Sequence, residues 1–248
     1  MKAIMQTEGI KHLQDRGMIF WAVILPILFT VLFISLFTSG IEESMKEEVI
    51  ISIVPGYVVM FIFFIMISMV TTFIKDKEGG MVARIASTPI SSIAFLLGKW
   101  MPFIFIVFIQ IAILFTFGKI VYHIPLGNPL YIVIISLFIT FAVTGLGLAL
   151  ALFVRSENMG IACTQIIALG GAMLGGLWMP IDTMPSIVQT IAKVTPQYWA
   201  HQAYQGAMTD TLSGGDLLLS LFILFLYGSI GCLLAYIRYP RFLNEAKH

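Results

Sequence analysis

The feature that most limits what this chain can become is a set of six runs, each about 20 residues long and free of Asp, Glu, Lys and Arg. They lie at residues 18–37, 54–74, 100–117, 130–153, 159–178 and 217–236. A bilayer core about 30 Å thick is crossed by roughly 20 apolar residues of helix. Lipid offers no partner to a free backbone N–H or C=O, so uninterrupted runs of this kind are read as helices. Composition agrees: 59% of the residues are hydrophobic, 11% are charged and the mean hydropathy is +0.97, whereas soluble domains carry about 25% charged residues. That balance excludes a soluble globular enzyme, and with 20 Phe it excludes a disordered chain. The expected fold is an all-α polytopic membrane protein, a single domain over residues 1–248 with six transmembrane helices.

Basic residues orient the helices, because Lys and Arg accumulate on the cytoplasmic side. Lys2, Lys11, Arg16, Lys75, Lys77, Arg84, Lys99, Arg155, Arg238, Arg241 and Lys247 fall on one side, and Lys46, Lys119 and Lys193 on the other, a split of 11 to 3. The reading is N-in/C-in, with Glu42, Glu43, Glu47 and Glu48 facing outward. The first run is longer than the apolar region of a signal peptide and no small-residue cleavage pattern follows Phe37, so it is expected to remain as a span. Residues 1–16 read as an N-terminal interfacial helix, although Ile4, Ile10 and Leu13 do not gather on one face. Residues 179–209 are apolar but interrupted by Pro180, Pro185 and Pro196, which suits a re-entrant segment in the outer leaflet better than a span. Pro185 suits the first turn of a short helix reaching about Val194.

What the runs lack constrains mechanism. They hold no acid or base at membrane depth, and the four histidines lie outside them, so the relays of ion-coupled carriers are missing. A hydrolase would need a base beside its Ser or Thr. No GxxxxGK[ST] phosphate loop occurs, since Gly98-Lys99 is followed by Trp100 and Gly118-Lys119 by Ile120. The chain is therefore read as non-catalytic, binding no cofactor or metal itself. Cys163 and Cys232 read as small buried hydrophobes, and a net charge of +1 gives no attraction to nucleic acid. Gln110, and Gln165 with Thr164 beside it, are either hydrogen-bonding glue between helices or, for Gln165, part of a substrate path. Gly171 and Gly175 permit close helix approach, within one subunit or between two.

Residues 75–99 form the longest hydrophilic stretch. Gly79-Gly80, a short helical segment with Arg84, the stop Thr88-Pro89, and a second apolar segment from Ile90 imply two short helices along the inner face. Ile85, Ile90, Ile93, Leu96 and Leu97 require cover. This loop, with its Lys/Glu-Gly-x-x-x-Arg-x-x-x-Thr-Pro-Ile-Ser pattern followed by Leu-Gly-Lys, resembles the membrane subunits of ABC-2 type transporters, bacterial exporters that include drug and antibiotic-resistance pumps. The stretch from Gly175-Gly176-Leu177-Trp178-Met179-Pro180 through Met184-Pro185 to Pro196 resembles the family's pattern after its fifth span. Met81-Val82-Ala83 departs from the more polar helix of many relatives.

The resemblance implies a permease half in the bacterial cytoplasmic membrane. A second permease half, homologous or identical, would pair with it, and two ATPase subunits would bind the ATP and Mg. Gly79, Gly80, Arg84, Thr88, Pro89 and Ile90 would couple to the ATPase, with a lipid headgroup as the other role for Arg84. Gln165, Thr164, Gly171 and Gly175 would line the path. Pro180, Met184, Pro185, Pro196, Tyr198 and Trp199 would shape the outer segment, the two aromatics as interfacial anchors or as a gate. Short outer loops leave amphiphilic drugs, lipids or lipid-linked glycans as cargo. The alternatives are a membrane scaffold without a transport path, a passive channel, or an ion-coupled carrier.

Overall fold

The structure is a computed structural model, and it describes residues 2–14, 16–40, 42–88 and 90–246. Met1, Asp15, Ile41, Pro89, Lys247 and His248 lie outside the described residues, as do the side chains of Ile4, Leu13, Arg16, Glu43, Glu47 and Glu48. Every regular element among the described residues is helical. Five helices are long and apolar enough to cross a membrane: Gly17–Thr38, Val49–Glu78, Ser92–Tyr122, Pro129–Phe153 and Gly214–Glu245. They correspond to the first, second, third, fourth and sixth expected spans; the fourth ends at the expected Phe153, and the others run past both expected bounds. Lys, Glu and Arg are good helix formers, so a helix continues into the polar zone until a cap or glycine ends it.

The local chemistry of each end is visible. Pro26 has no N–H to donate to Ala22, and just before it the first span widens into a π-turn at Phe20–Ile24. Ser91 accepts from the Ala94 N–H at 3.3 Å and starts the third span. Asn128 accepts from Leu130 at 3.1 Å, with Pro129 in the first turn of the fourth. Ser213 caps the sixth through the Asp216 N–H at 3.1 Å.

The second span is the core of the bundle. It is apolar on all sides, and Tyr57, Phe63, Met66, Met69 and Phe73 are fully enclosed by the surrounding helices. The fourth and sixth helices make the closest crossing: a Cβ on Gly145 would lie 2.6 Å from the Gly228 carbonyl oxygen, and one on Gly231 would lie 2.4 Å from the Gly145 carbonyl carbon. Close approach was expected at Gly171 and Gly175. Gly175 does lie against the Tyr198 backbone, Gly171 faces the side chain of Gln197 within the same chain, and the tighter backbone contact is the one at Gly145 and Gly231.

The fifth expected span, 159–178, is shorter and internally interrupted. It is helical as Glu157–Gln165, a π-turn at Ile166–Gly170, and Gly171–Leu174, roughly 27 Å at 1.5 Å per residue. The helix thus ends four residues before Trp178, and Gly176, at φ +72°, turns the chain just beyond it. Its two ends nevertheless lie at opposite ends of the bundle. At one end Lys11 meets Asp76 at 3.6 Å, Lys77 meets Glu245 at 3.0 Å, and the Arg238 Nε–H donates to the Leu152 carbonyl at 3.2 Å. At the other, Gln205 donates to Ser52 at 3.0 Å and the Asn128 N–H donates to the Ala207 carbonyl at 3.1 Å.

Cys163 and Cys232 are free and half-buried, less enclosed than their apolar surroundings suggest.

Candidate functional site

At the charged end, the second span runs unbroken through Lys75 to Glu78, and the Gly79 N–H donates to the Lys75 carbonyl at 2.8 Å. Gly80 turns the chain at φ +69°, a left-handed conformation that favours glycine. The helix Met81–Ala86 follows, anchored by buried Val82. Thr88 ends it by donating its hydroxyl to the Ile85 carbonyl at 2.6 Å. Pro89, an expected coupling residue, lies outside the described residues. Only one of the two expected short helices is separate. Nothing from Ser92 to Trp100 breaks a helix, so the second apolar stretch is the first two turns of the third span. Arg84, Thr88 and Ile90 are exposed, and Ile93 is 55% exposed, while Leu96 is buried. Among the described residues, the hairpin thus presents an exposed cation and two exposed isoleucines.

Beside its root lies a group that the sequence reading missed. Lys99 and Glu8 are both 0% exposed, and the Lys99 ammonium lies 3.1 Å from Glu8 and in closer contact with Asp76. Lys11 completes the cluster at 3.2 Å from Glu8. Burial alone would raise the Glu8 carboxyl pKa, but Lys99 and then Lys11 outweigh it and hold it below the ordinary carboxylate value. The N-terminal helix spans Lys2–Gln14; it buries Glu8 and His12 against the third span and leaves Ile10 exposed. One signal was available. The helical neighbours of Lys99 at three and four residues are Phe95, Leu96, Pro102 and Phe103, so this lysine sits on an apolar face with no acid of its own helix in reach.

The four candidate path residues do not share one environment. Gln165 is exposed beside Ile166, which is 73% exposed, and Met173. Thr164 is enclosed, with no hydrogen bond to its hydroxyl among the described residues. Gly171 seats Gln197, whose amide donates to the Ile167 carbonyl at 2.9 Å, and Gly175 lies against the Tyr198 backbone. Gln110 is buried with both amide atoms unbonded among the described residues, so it makes no interhelical bond here.

At the opposite end, residues 179–209 fold as a 3-10 turn Ile181–Thr183 and two helices, Ser186–Ala192 and Pro196–Met208. Pro185 is the N-cap of the first and buried Pro196 opens the second; Pro180 precedes the turn, and Met184 is half-buried between turn and helix. Tyr198 and Trp199 are half-buried and packed edge to face at 5.3 Å, with the Trp199 indole donating to the Lys193 carbonyl at 2.8 Å. The Tyr227 hydroxyl donates to the Val194 carbonyl, so the segment reaches about three turns down the sixth helix from Asp216. Between this segment and the first and second spans lies a cavity of about 720 Å³ lined by Phe37, Ser52, Trp178, Pro180, Thr183 and Gln205. Gln197, His201 and Gln205 recur every four residues on one face of their helix, a polar stripe readable from sequence but not singled out. His201 is 2% exposed, with Nε2 3.2 Å from the Ser52 carbonyl.

Burial lowers the His201 pKa to about 4, despite that bond to Ser52. The imidazole stays neutral in the fold while the unfolded chain takes up its proton near 6.5, so stability is full above pH 6.5 and falls as pH drops toward 4. The loss approaches roughly 3 kcal/mol. His201→Gln removes this dependence, measurable as the flattening of melting temperature against pH in detergent between 6.5 and 4; an identical slope in the variant would contradict the assignment. A second expected result concerns access. With Cys163 and Cys232 replaced, Ile187→Cys and Val194→Cys should react with a membrane-impermeant thiol reagent from outside and Ala192→Cys should not, since Ala192 is buried and the other two are exposed. Labelling from the cytoplasm would invert the topology.

Comparison with known proteins accords with this arrangement. The family model described as ABC-2 type transporter matches residues 1–209. The chain is 28% identical over 175 residues to the linearmycin resistance permease protein LnrN of Bacillus subtilis, an overlap of 70% of this chain and 44% of that protein. It is 25% identical over 194 residues to the transport permease YvfS of the same organism, covering 75% of this chain and 76% of that one. The chain thus spans less than half the length of the first relative. An all-helical bundle with five helices of membrane-crossing length, and a family match over most of its residues, make this chain a multi-pass cell-membrane protein of the ABC-2 type transporter family.

Proposed function

We propose that the chain is one membrane half of an ATP-driven exporter that carries an amphiphile outward, with ATP and Mg bound and hydrolysed by two separate ATPase subunits. The observation that carries this reading is the hairpin at residues 79–97. It projects from the charged end of the bundle with Arg84, Ile90 and Ile93 uncovered, a surface that suits a protein partner with an acidic rim around an apolar patch. The short fifth segment serves as the sixth crossing in this reading, and both termini lie in the cytoplasm.

A second permease half covers the fifth segment. An exposed amide such as Gln165 at mid-depth is costly against lipid, whereas at an interface between halves it gains a partner or faces cargo. The cavity of about 720 Å³ beneath residues 179–209 is the exit vestibule, with Trp178 and Phe37 among its lining residues. Its mixed lining of aromatic rings and amides fits an amphiphilic drug, lipid or lipid-linked glycan. The name of the linearmycin resistance permease favours a drug of this kind. A scaffold would need no such vestibule, and an ion-coupled carrier would need ionisable groups at mid-membrane.

Arg84→Glu tests the docking surface. The variant should fold as the wild type does and lose about tenfold or more in affinity for the ATPase, on the scale of a reversed interfacial charge. Titration of purified ATPase against the chain in nanodiscs reads this directly, and an affinity within twofold of wild type would remove Arg84 from the interface.

A further inference from the structure

The hairpin at residues 79–97 has two roots, and one buried ion cluster holds both. Asp76 lies on the helix that enters the hairpin and Lys99 on the helix that leaves it; Glu8 belongs to a third element, the N-terminal helix. Apolar side chains in contact slide past one another at small cost. A buried ammonium between two carboxylates does not, because separating it from either leaves an uncompensated charge in a medium of low dielectric. Close packing alone does not fix the N-terminal helix here. Beside the cluster it parts from the third span around a cavity of about 340 Å³ lined by Met5, Gly9, His12, Pro102, Phe105 and Gln110.

We infer that Glu8, Asp76 and Lys99 form the joint through which movement of the hairpin is delivered to the third span and the N-terminal helix, and so to the first span that follows it. The three are positioning residues for transport and touch neither cargo nor nucleotide. This rests on the exporter reading above. In it, the ATPase moves the hairpin, the joint makes both its roots and the N-terminal helix move as one body, and the bundle changes shape at the far end.

The test uses the chain with its ATPase in proteoliposomes. The triple variant Glu8→Gln/Asp76→Asn/Lys99→Met leaves no buried charge unpaired. It should still bind the ATPase and hydrolyse ATP, while cargo moved per ATP falls about tenfold; Lys99→Arg should retain most of the wild-type ratio. A second readout needs no change in the cluster. With Cys163 and Cys232 replaced, spin labels at Ile10→Cys and Ser87→Cys, both exposed positions, should keep one narrow distance with and without ATP, and broaden in the triple variant. An unchanged transport-to-ATP ratio in the triple variant, or a wild-type distance that shifts with ATP, overturns the joint. Loss of ATPase binding in the triple variant also overturns it, since the residues would then serve docking. If no ATPase binds even the wild-type chain, the exporter reading itself fails and takes this inference with it.

Discussion

Lys99→Met is expected to destabilise the folded chain by about 3–5 kcal/mol, the usual cost of removing one partner from a buried ion pair. Glu8 and Asp76 would remain within the protein with only half-exposed Lys11 to answer two carboxylates. The pH dependence should invert as well. In the wild type the Glu8 pKa is depressed, so its contribution is present above the unfolded value of about 4.5 and is lost as pH falls through the folded value. Without Lys99, burial is left to dominate and the Glu8 pKa rises above its unfolded value; the variant then recovers stability as acid protonates the carboxyl. Thermal unfolding in detergent across pH 4–8 reads both trends. A variant within about 1 kcal/mol of wild type at pH 7, with the same slope, would show that the ions are not buried as described.

Gly231→Val should be at least as damaging, at about 4 kcal/mol or more, because its Cβ would sit 2.4 Å from backbone of the fourth helix and no side-chain rotation relieves that overlap. The fourth and sixth helices would have to separate, opening the pair that closes one side of the bundle. Gly214→Ala at the start of the sixth helix meets nothing within 4 Å, and should change stability by less than about 1 kcal/mol. Folded yield and melting temperature compare the two; equal losses would mean that glycine at position 231 serves something other than close approach.

These two sites show where sequence stops being legible. The spans could be read because the lipid requirement is local: a run of apolar residues declares itself without reference to the rest of the chain. Their ends could not, since polar Lys75 to Glu78 and apolar Ser92 to Lys99 both continue a helix, and only the turn at Gly80 decides where one stops. The three prolines at 180, 185 and 196 mark the breaks between the short elements of residues 179–209 because each acts on its own backbone. The Glu8–Lys99 pair joins residues 91 apart, and no local pattern encodes a partner at that distance. Gly171 and Gly175 had the spacing associated with close helix crossings, whereas Gly145, Gly228 and Gly231 did not. Gly175 does meet the Tyr198 backbone, yet the tighter contact forms where Gly145 faces Gly228 and Gly231 of another helix, a pairing between distant residues that no local spacing encodes.

In the proposed exporter, energy enters at the hairpin of residues 79–97 and cargo leaves through the cavity beneath residues 179–209. The most direct measurement is uptake of a fluorescent amphiphilic antibiotic into inside-out vesicles containing the chain and its ATPase. The exporter proposal predicts accumulation against the gradient that requires hydrolysable ATP, and that Arg84→Glu sharply lowers while leaving the isolated ATPase active. Uptake that proceeds equally without ATP, or that follows a proton gradient instead, would contradict it.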